Sequence, residues 1–168
     1  PTGAGQPRPL SLQGLGFSGG ARFLPDSRRF LSFANEEGKG DRVYLADIDG
    51  SKPRALTPEN SRGPGPLSTD GRHFLARAPD RTTVAYSIEG GAPTPIAGFE
   101  PGDVALGWTS DDRGLFVLRS GAPAGKIDRL DPAPGRREPW NELLPSDATR
   151  AVRVSPGSAS PVGTFYAL

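Results

Sequence analysis

The sequence predicts an all-β fold assembled from repeated, four-stranded antiparallel units, and three observations predict it. The chain has 168 residues, of which Gly 23 and Pro 19 make up a quarter; at roughly 1 kcal/mol per interior Gly and 3 per Pro relative to Ala, long helices are excluded. A turn signature recurs along the chain. After each copy of it, apolar residues alternate with polar ones at the period of a strand.

The signature is read by aligning three segments. Phe23-Leu24-Pro25-Asp26-Ser27-Arg28-Arg29-Phe30-Leu31 matches Leu67-Ser68-Thr69-Asp70-Gly71-Arg72-His73-Phe74-Leu75 and Trp108-Thr109-Ser110-Asp111-Asp112-Arg113-Gly114-Leu115-Phe116. Each copy is an apolar residue, two further residues, an Asp, a turn residue, then a basic residue leading to an apolar run. Asp26, Asp70 and Asp111 stand 44 and 41 residues apart. A short polar side chain that can accept from backbone amides two residues on is what a tight turn requires, so these three carboxylates are read as structural. The turn glycine of the second copy is Ser27 in the first and Asp112 in the third, and Asp tolerates left-handed geometry better than Ser.

The remaining strands follow in order. In each unit one strand ends before the Asp turn and the next begins after it, over about 29–34, 72–77 and 114–119. A third strand covers 42–48, 82–88 or 126–131, where Val43 and Leu45, or Val84 and Tyr86, show period-two spacing. Asp49-Gly50 and Gly90-Gly91 read as hairpin turns, because such turns need positive φ. A fourth strand contains Pro53-Arg54-Ala55-Leu56 or its counterpart. Four antiparallel strands every forty-odd residues is the pattern of a β-propeller blade.

The expected fold is therefore all-β, a β-propeller fragment with about three complete four-stranded antiparallel blades plus partial blades at both ends. Residues 21–57, 65–97 and 104–142 should each form one sheet. The chain divides as a single partial domain: an orphan outer strand and linker over 1–15, blades over 16–60, 61–100 and 101–145, and a partial blade over 146–168. With Pro1 at the front and Met 0, the chain is read as cut from something longer. The strand at 6–10 either closes a small ring with the segment after Arg150 or leaves an open arc, favoured here, whose blade edges would pair with another copy or with the missing part of the propeller. Phe23, Phe30, Leu45, Val84, Phe116 and Val117 are expected between sheets, with Trp108 and Trp140 in the core.

These residues carry a family resemblance. The Asp turns, with Asp47-Ile48-Asp49-Gly50 and Pro53-Arg54-Ala55-Leu56-Thr57 downstream, resemble the TolB-type, WD-like β-propeller repeat of bacteria. The segment from Leu130-Asp131-Pro132 to Trp140-Asn141-Glu142-Leu143 is similar to the last full blade of propellers fused to the C-terminus of bacterial eukaryotic-like serine/threonine protein kinases. The resemblance implies a non-catalytic interaction or sensor module of a larger signalling protein. The alternative is the accessory propeller of a hydrolase such as a prolyl-oligopeptidase-type peptidase. Localisation stays open, extracytoplasmic in a receptor-like kinase and cytoplasmic otherwise.

Charge and composition bound the partners. Lys+Arg 20 against Asp+Glu 19 leaves a net charge of +1, with neither half a basic arm nor an acidic tail, so a phosphate backbone has no electrostatic footprint. No run approaches the ~20 apolar residues that span a bilayer. Cys 0 removes disulfides, thiol catalysis and cysteine-ligated metals.

Motif matches with chemical meaning fail on inspection. Gly16-Phe17-Ser18-Gly19-Gly20 fits the nucleophile elbow of serine hydrolases, but that elbow needs a strand-to-helix turn and a converging His. A strand follows instead, and the one His, His73, belongs to another blade. Asp47-Ile48-Asp49-Gly50 opens like a calcium loop, yet the bidentate Glu position is Pro58. Ser110-Asp111-Asp112-Arg113-Gly114 partly matches a sialidase turn but has Val117 for its closing aromatic. No catalytic, cofactor or metal residue is expected. Binding, of a protein or a small molecule, is assigned to loops at one end of the blades: 34–41, 78–81 and 119–125 within them, 58–65 and 97–103 between them. Their polar candidates are Glu36, Glu37, Lys39, Arg62, Arg81, Glu100 and Arg119.

Overall fold

The computed structural model describes residues 12–119 and 125–143. The segments assigned to the orphan strand at 6–10 and to the partial blade after 146 lie outside the described residues. None of the described residues is helical, so no helix is long and apolar enough to cross a membrane.

Among the described residues eleven strands form three sheets. The first holds β1 (Gly16–Phe23), β2 (Arg29–Asn35), β3 (Arg42–Asp47) and β4 (Arg54–Ala55); the second β5 (His73–Arg77), β6 (Thr83–Ser87) and β7 (Thr94–Pro95); the third β8 (Val104–Trp108), β9 (Leu115–Leu118), β10 (Gly125–Asp131) and β11 (Arg136–Leu143). Strand order follows chain order in each sheet, and every pairing is antiparallel. Strands of different repeat units do not share a sheet.

The second sheet departs from the expected four strands. Where its first strand should run, only the isolated bridges Arg62↔Arg77 and Leu67↔Phe74 form. The intervening sequence is Gly63-Pro64-Gly65-Pro66, and a proline has no N–H to give to a ladder. What remains is intermittent: Arg62 and Arg77 exchange both backbone hydrogen bonds at 2.8 Å, and the Gly65 amide donates to the Leu75 carbonyl at 2.8 Å.

Neighbouring sheets pack face to face. Leu31, Val43, Phe74, Ala76, Val84 and Tyr86 form the core between the first and second sheets. Leu75, Ile96, Leu115, Val117 and Leu130 form the core between the second and third. The alternation Phe74, Leu75, Ala76 along β5 sends side chains to both cores in turn, as a strand buried on both faces must. Arg54 adds a polar tie between the first two sheets, donating to the carbonyls of Ile88 at 2.6 Å and Glu89 at 3.3 Å.

The aromatic expectations divide by face. Phe30, Val84, Phe116 and Val117 are buried, and Leu45 and Trp108 are partly buried against the two inter-sheet cores. Phe23 is 54% exposed and Trp140 38%, which corrects both assignments to the core. Phe23 is the cross-strand partner of Phe30, on the face of the first sheet turned away from the second. Trp140 packs its ring 4.7 Å from that of Phe116, on the opposite side of the third sheet from the core built by Leu115 and Val117. Phe116 is accordingly buried with Leu106 and Ile127, not between the second and third sheets.

Candidate functional site

An antiparallel meander puts its Asp turns and hairpin turns at one end of the sheets, the turn face, and its remaining loops at the other, the loop face. The turn face carries the three Asp turns, and the loop face carries the seven polar candidates.

On the turn face each Asp closes its own turn. Asp70 Oδ1 accepts from the Arg72 amide at 2.8 Å and the Ser68 hydroxyl at 2.7 Å; Asp111 Oδ1 accepts from the Arg113 amide at 3.1 Å and the Thr109 hydroxyl at 2.5 Å. The first repeat has Leu24 where the others have Ser68 and Thr109. There Asp26 takes two amides, of Arg28 and Arg29, both at 2.9 Å, and the Arg29 guanidinium at 2.6 Å. The Arg29 amide, then its guanidinium and the Arg28 amide, lower the Asp26 carboxyl to about 2. Asp70 and Asp111 are lowered as well, first by the hydroxyls of Ser68 and Thr109 and then by the amides of Arg72 and Arg113. Ser27, Gly71 and Asp112, the aligned turn residues, all have positive φ, of 55°, 72° and 54°.

The residues that resembled chemical motifs are engaged structurally. Ser18 lies in β1 and donates to Asp41 at 2.6 Å. Asp47 and Asp49 accept from the amides of Asp49 and Ser51 in a turn that Gly50 closes at φ 80°, and Arg28 bridges both carboxylates. His73 is exposed at the start of β5.

On the loop face the seven candidates separate into two groups. Glu36 pairs with Lys39 and accepts from Tyr44 Oη at 3.3 Å, and Glu37 is exposed beside them. Arg119 donates to the buried Asp128 at 2.6 Å and 3.0 Å. That contact belongs to a network that sequence reasoning missed. Arg137 reaches Asp128 at 3.3 Å, the wholly buried Asp103, and the Gly98 carbonyl at 2.8 Å. Asp103 in turn accepts from the Glu100 amide at 2.8 Å. Arg137 thereby fixes the 98–103 loop against the third sheet. No local pattern announces an ion pair between residues 34 apart in sequence.

Arg62, Arg81 and Glu100 come together around a cleft of two adjoining chambers. The larger, of about 520 Å³, is lined by Arg77, 80–84, Pro95, Ile96 and 99–103. The smaller, of about 410 Å³, is lined by Asn60, Arg62, Arg77, Ala78, Pro79 and Arg81. Arg77 and Arg81 belong to both walls. Arg77 had not been singled out, and its side of β5 is fixed by the bridge to Arg62, since directly opposed residues of an antiparallel pair share a face. Arg81 sits in the tight turn after Ala78, at φ 71°.

The described sheets, each an antiparallel meander packed on the next, define a module of β-propeller type. They are similar to TolB from Acinetobacter baumannii, with a TM-score of 0.56 at 19% identity, covering 77% of this chain and 33% of that one. The fold is thus TolB-like, and the chain spans about a third of its structural neighbour. No family model matches. A 94-residue stretch is 30% identical to mRNA-decapping enzyme 1B of Mus musculus, over 55% of this chain and 16% of that protein.

Proposed function

We propose that the chain is a non-catalytic interaction or sensing module of a larger bacterial signalling protein, of the kind exemplified by the eukaryotic-like serine/threonine kinases. The carrying observation is the loop-face cleft, where Arg62, Arg77 and Arg81 gather around open volume, while Asp26, Asp70 and Asp111 on the turn face, with Ser68 and Thr109, are engaged in closing turns. The TolB-like fold supports a scaffold that presents loops, since connecting segments on a strand framework are where binding residues concentrate. The likeness of the segment from Leu130 to Leu143 to the last blade of kinase-fused propellers supports the signalling context.

Two experiments test the two halves of this reading. Kinase catalytic motifs encoded in the same reading frame upstream of Pro1 are expected; an adjoining hydrolase domain would overturn the signalling context. For the purified chain, no turnover of an activated ester is expected, and turnover abolished by Ser18→Ala would overturn the non-catalytic role.

A further inference from the structure

The geometry points to the ligand class of this cleft: we infer that it binds an acidic peptide segment in which a carboxylate neighbours an apolar side chain. The inference rests on the binding role proposed above for the same cleft.

Among the described residues the smaller chamber is lined by three arginines, Arg62, Arg77 and Arg81, and by no carboxylate. All three are exposed. None has an ion pair within 4.0 Å among the described residues, whereas Arg28, Arg29, Arg42, Arg72, Arg119, Arg129, Arg136 and Arg137 each do. Arg62 and Arg77 are moreover a direct cross-strand pair, and like charges placed directly opposite destabilise a sheet. An anion between them removes that repulsion. A carboxylate suits the planar, two-pronged guanidinium, which binds it through two parallel hydrogen bonds.

The larger chamber says what adjoins the anion. Ile96 and Phe99, which belong to the core between the second and third sheets, supply an apolar wall to the chamber that Arg77 and Arg81 also line. Its carboxylates are Asp80, Glu100 and Asp103. Asp103 is held by Arg137, and Asp80 accepts from the Thr82 amide and hydroxyl at 2.9 Å and 2.6 Å. A ligand spanning both chambers therefore offers a carboxylate to the arginines and an apolar side chain to Phe99. Two chambers of this size hold a few side chains, and the net charge of +1 gives no long-range attraction for a polyanion, so a nucleic acid strand is disfavoured.

The test uses the whole chain against an array of end-blocked tetrapeptides that cross Glu, Gln or Lys with Ala, Leu or Phe. Peptides combining Glu with Leu or Phe are expected to be retained, their affinity falling at least tenfold in Arg77→Gln and in Arg81→Gln. Retention of neutral or basic peptides instead, or of none, overturns the inference. So does displacement by a single-stranded oligonucleotide or inorganic phosphate at concentrations below that of the bound peptide. The thermal midpoint of Arg77→Gln without peptide should equal or exceed that of the parent chain; a lower one would show the guanidinium engaged within the fold and would count against the assignment. An array without retained peptides leaves the reading-frame and ester tests of the broader role unaffected, so the two failures are distinguishable.

Discussion

The turn face carries a small cavity, about 180 Å³, whose charged walls are Asp111, Arg113, Arg129, Asp131, Arg136 and Glu138. There Arg129 lies 3.8 Å from Asp111 and Arg136 lies 3.1 Å from Glu138. Among the described residues the smaller chamber on the loop face brings three arginines together with no carboxylate. The first set stands on the strands and turns of the third sheet, the second on the second sheet and its loops. Charges that close turns meet their counter-ions within the chain, since a turn must satisfy its own backbone groups locally. On the loop face Arg119 is held by Asp128, while Arg62, Arg77 and Arg81 line the smaller chamber.

A sharper contrast lies between Arg137 and Arg77. Arg137 is mostly buried, with a side-chain exposure of 14%, between carboxylates exposed by 0% and 2%. Removing one partner of a buried ion pair typically costs about 3–5 kcal/mol, because it strands the other charge. Arg137→Ala is therefore expected to lower chain stability by about that amount in urea denaturation. Arg77→Ala should stay within about 0.5 kcal/mol, as exposed substitutions do. Equal losses for the two would erase the distinction between structural and ligand-facing arginines.

The next largest effect concerns how repeats are joined on the turn face. Asp112 caps the turn of the preceding sheet: its carboxylate accepts from the Thr69 amide at 2.7 Å, the Thr69 hydroxyl at 2.6 Å and the Asp70 amide at 2.9 Å. At the equivalent place between the first and second repeats the contact is steric. A Cβ on Gly71 would stand 2.5 Å from Pro25 Cδ. Asp112→Ala should cost about 1–2 kcal/mol, the range for leaving hydrogen-bonding groups unpaired. Asp112 and Ser27 share left-handed φ but not this capping role. Left-handed geometry costs an L-residue about 1–2 kcal/mol, so Ser27→Gly should stabilise by about 0.5–1 kcal/mol once the extra freedom of glycine in the unfolded chain is subtracted. A destabilising Ser27→Gly would mean that the serine side chain has a role in its turn.

What could be read in the sequence follows from this division. The Asp turns were legible because their bonds run over two to five residues, so a nine-residue window contains the whole device. Left-handed φ at Ser27 and Asp112 was legible from alignment with Gly71. Strand facing was harder. β1 carries register shifts between Phe17 and Gly19 and between Gly19 and Ala21, and each shift resets the alternation from which burial is read. The interruption of the second sheet was in plain view as Gly63-Pro64-Gly65-Pro66, and the missing amides of Pro64 and Pro66 account for it. The fate of individual arginines was illegible: Arg119 and Arg62 look alike in sequence, and only the buried Asp128 distinguishes them.

The smallest expected effect is on acid stability, and it belongs to the Asp turns of the turn face. Asp26 titrates at about 2 in the folded chain against an ordinary value of 3.8, and Asp70 and Asp111 are lowered in the same direction. A carboxyl depressed on folding contributes stability that is fully present above its unfolded value and is lost as pH falls through its folded one. The contribution of Asp26 is thus intact at pH 5 and above and disappears between about pH 4 and pH 2. Thermal midpoints of the parent chain should be level from pH 7 to pH 5 and fall below pH 4. In Asp26→Asn the fall should be shallower, because an amide oxygen can still accept from the turn amides while having nothing to protonate. Parallel curves for the two proteins below pH 4 would show that the first turn does not draw on the ionised carboxylate, and that acid sensitivity resides elsewhere in the fold.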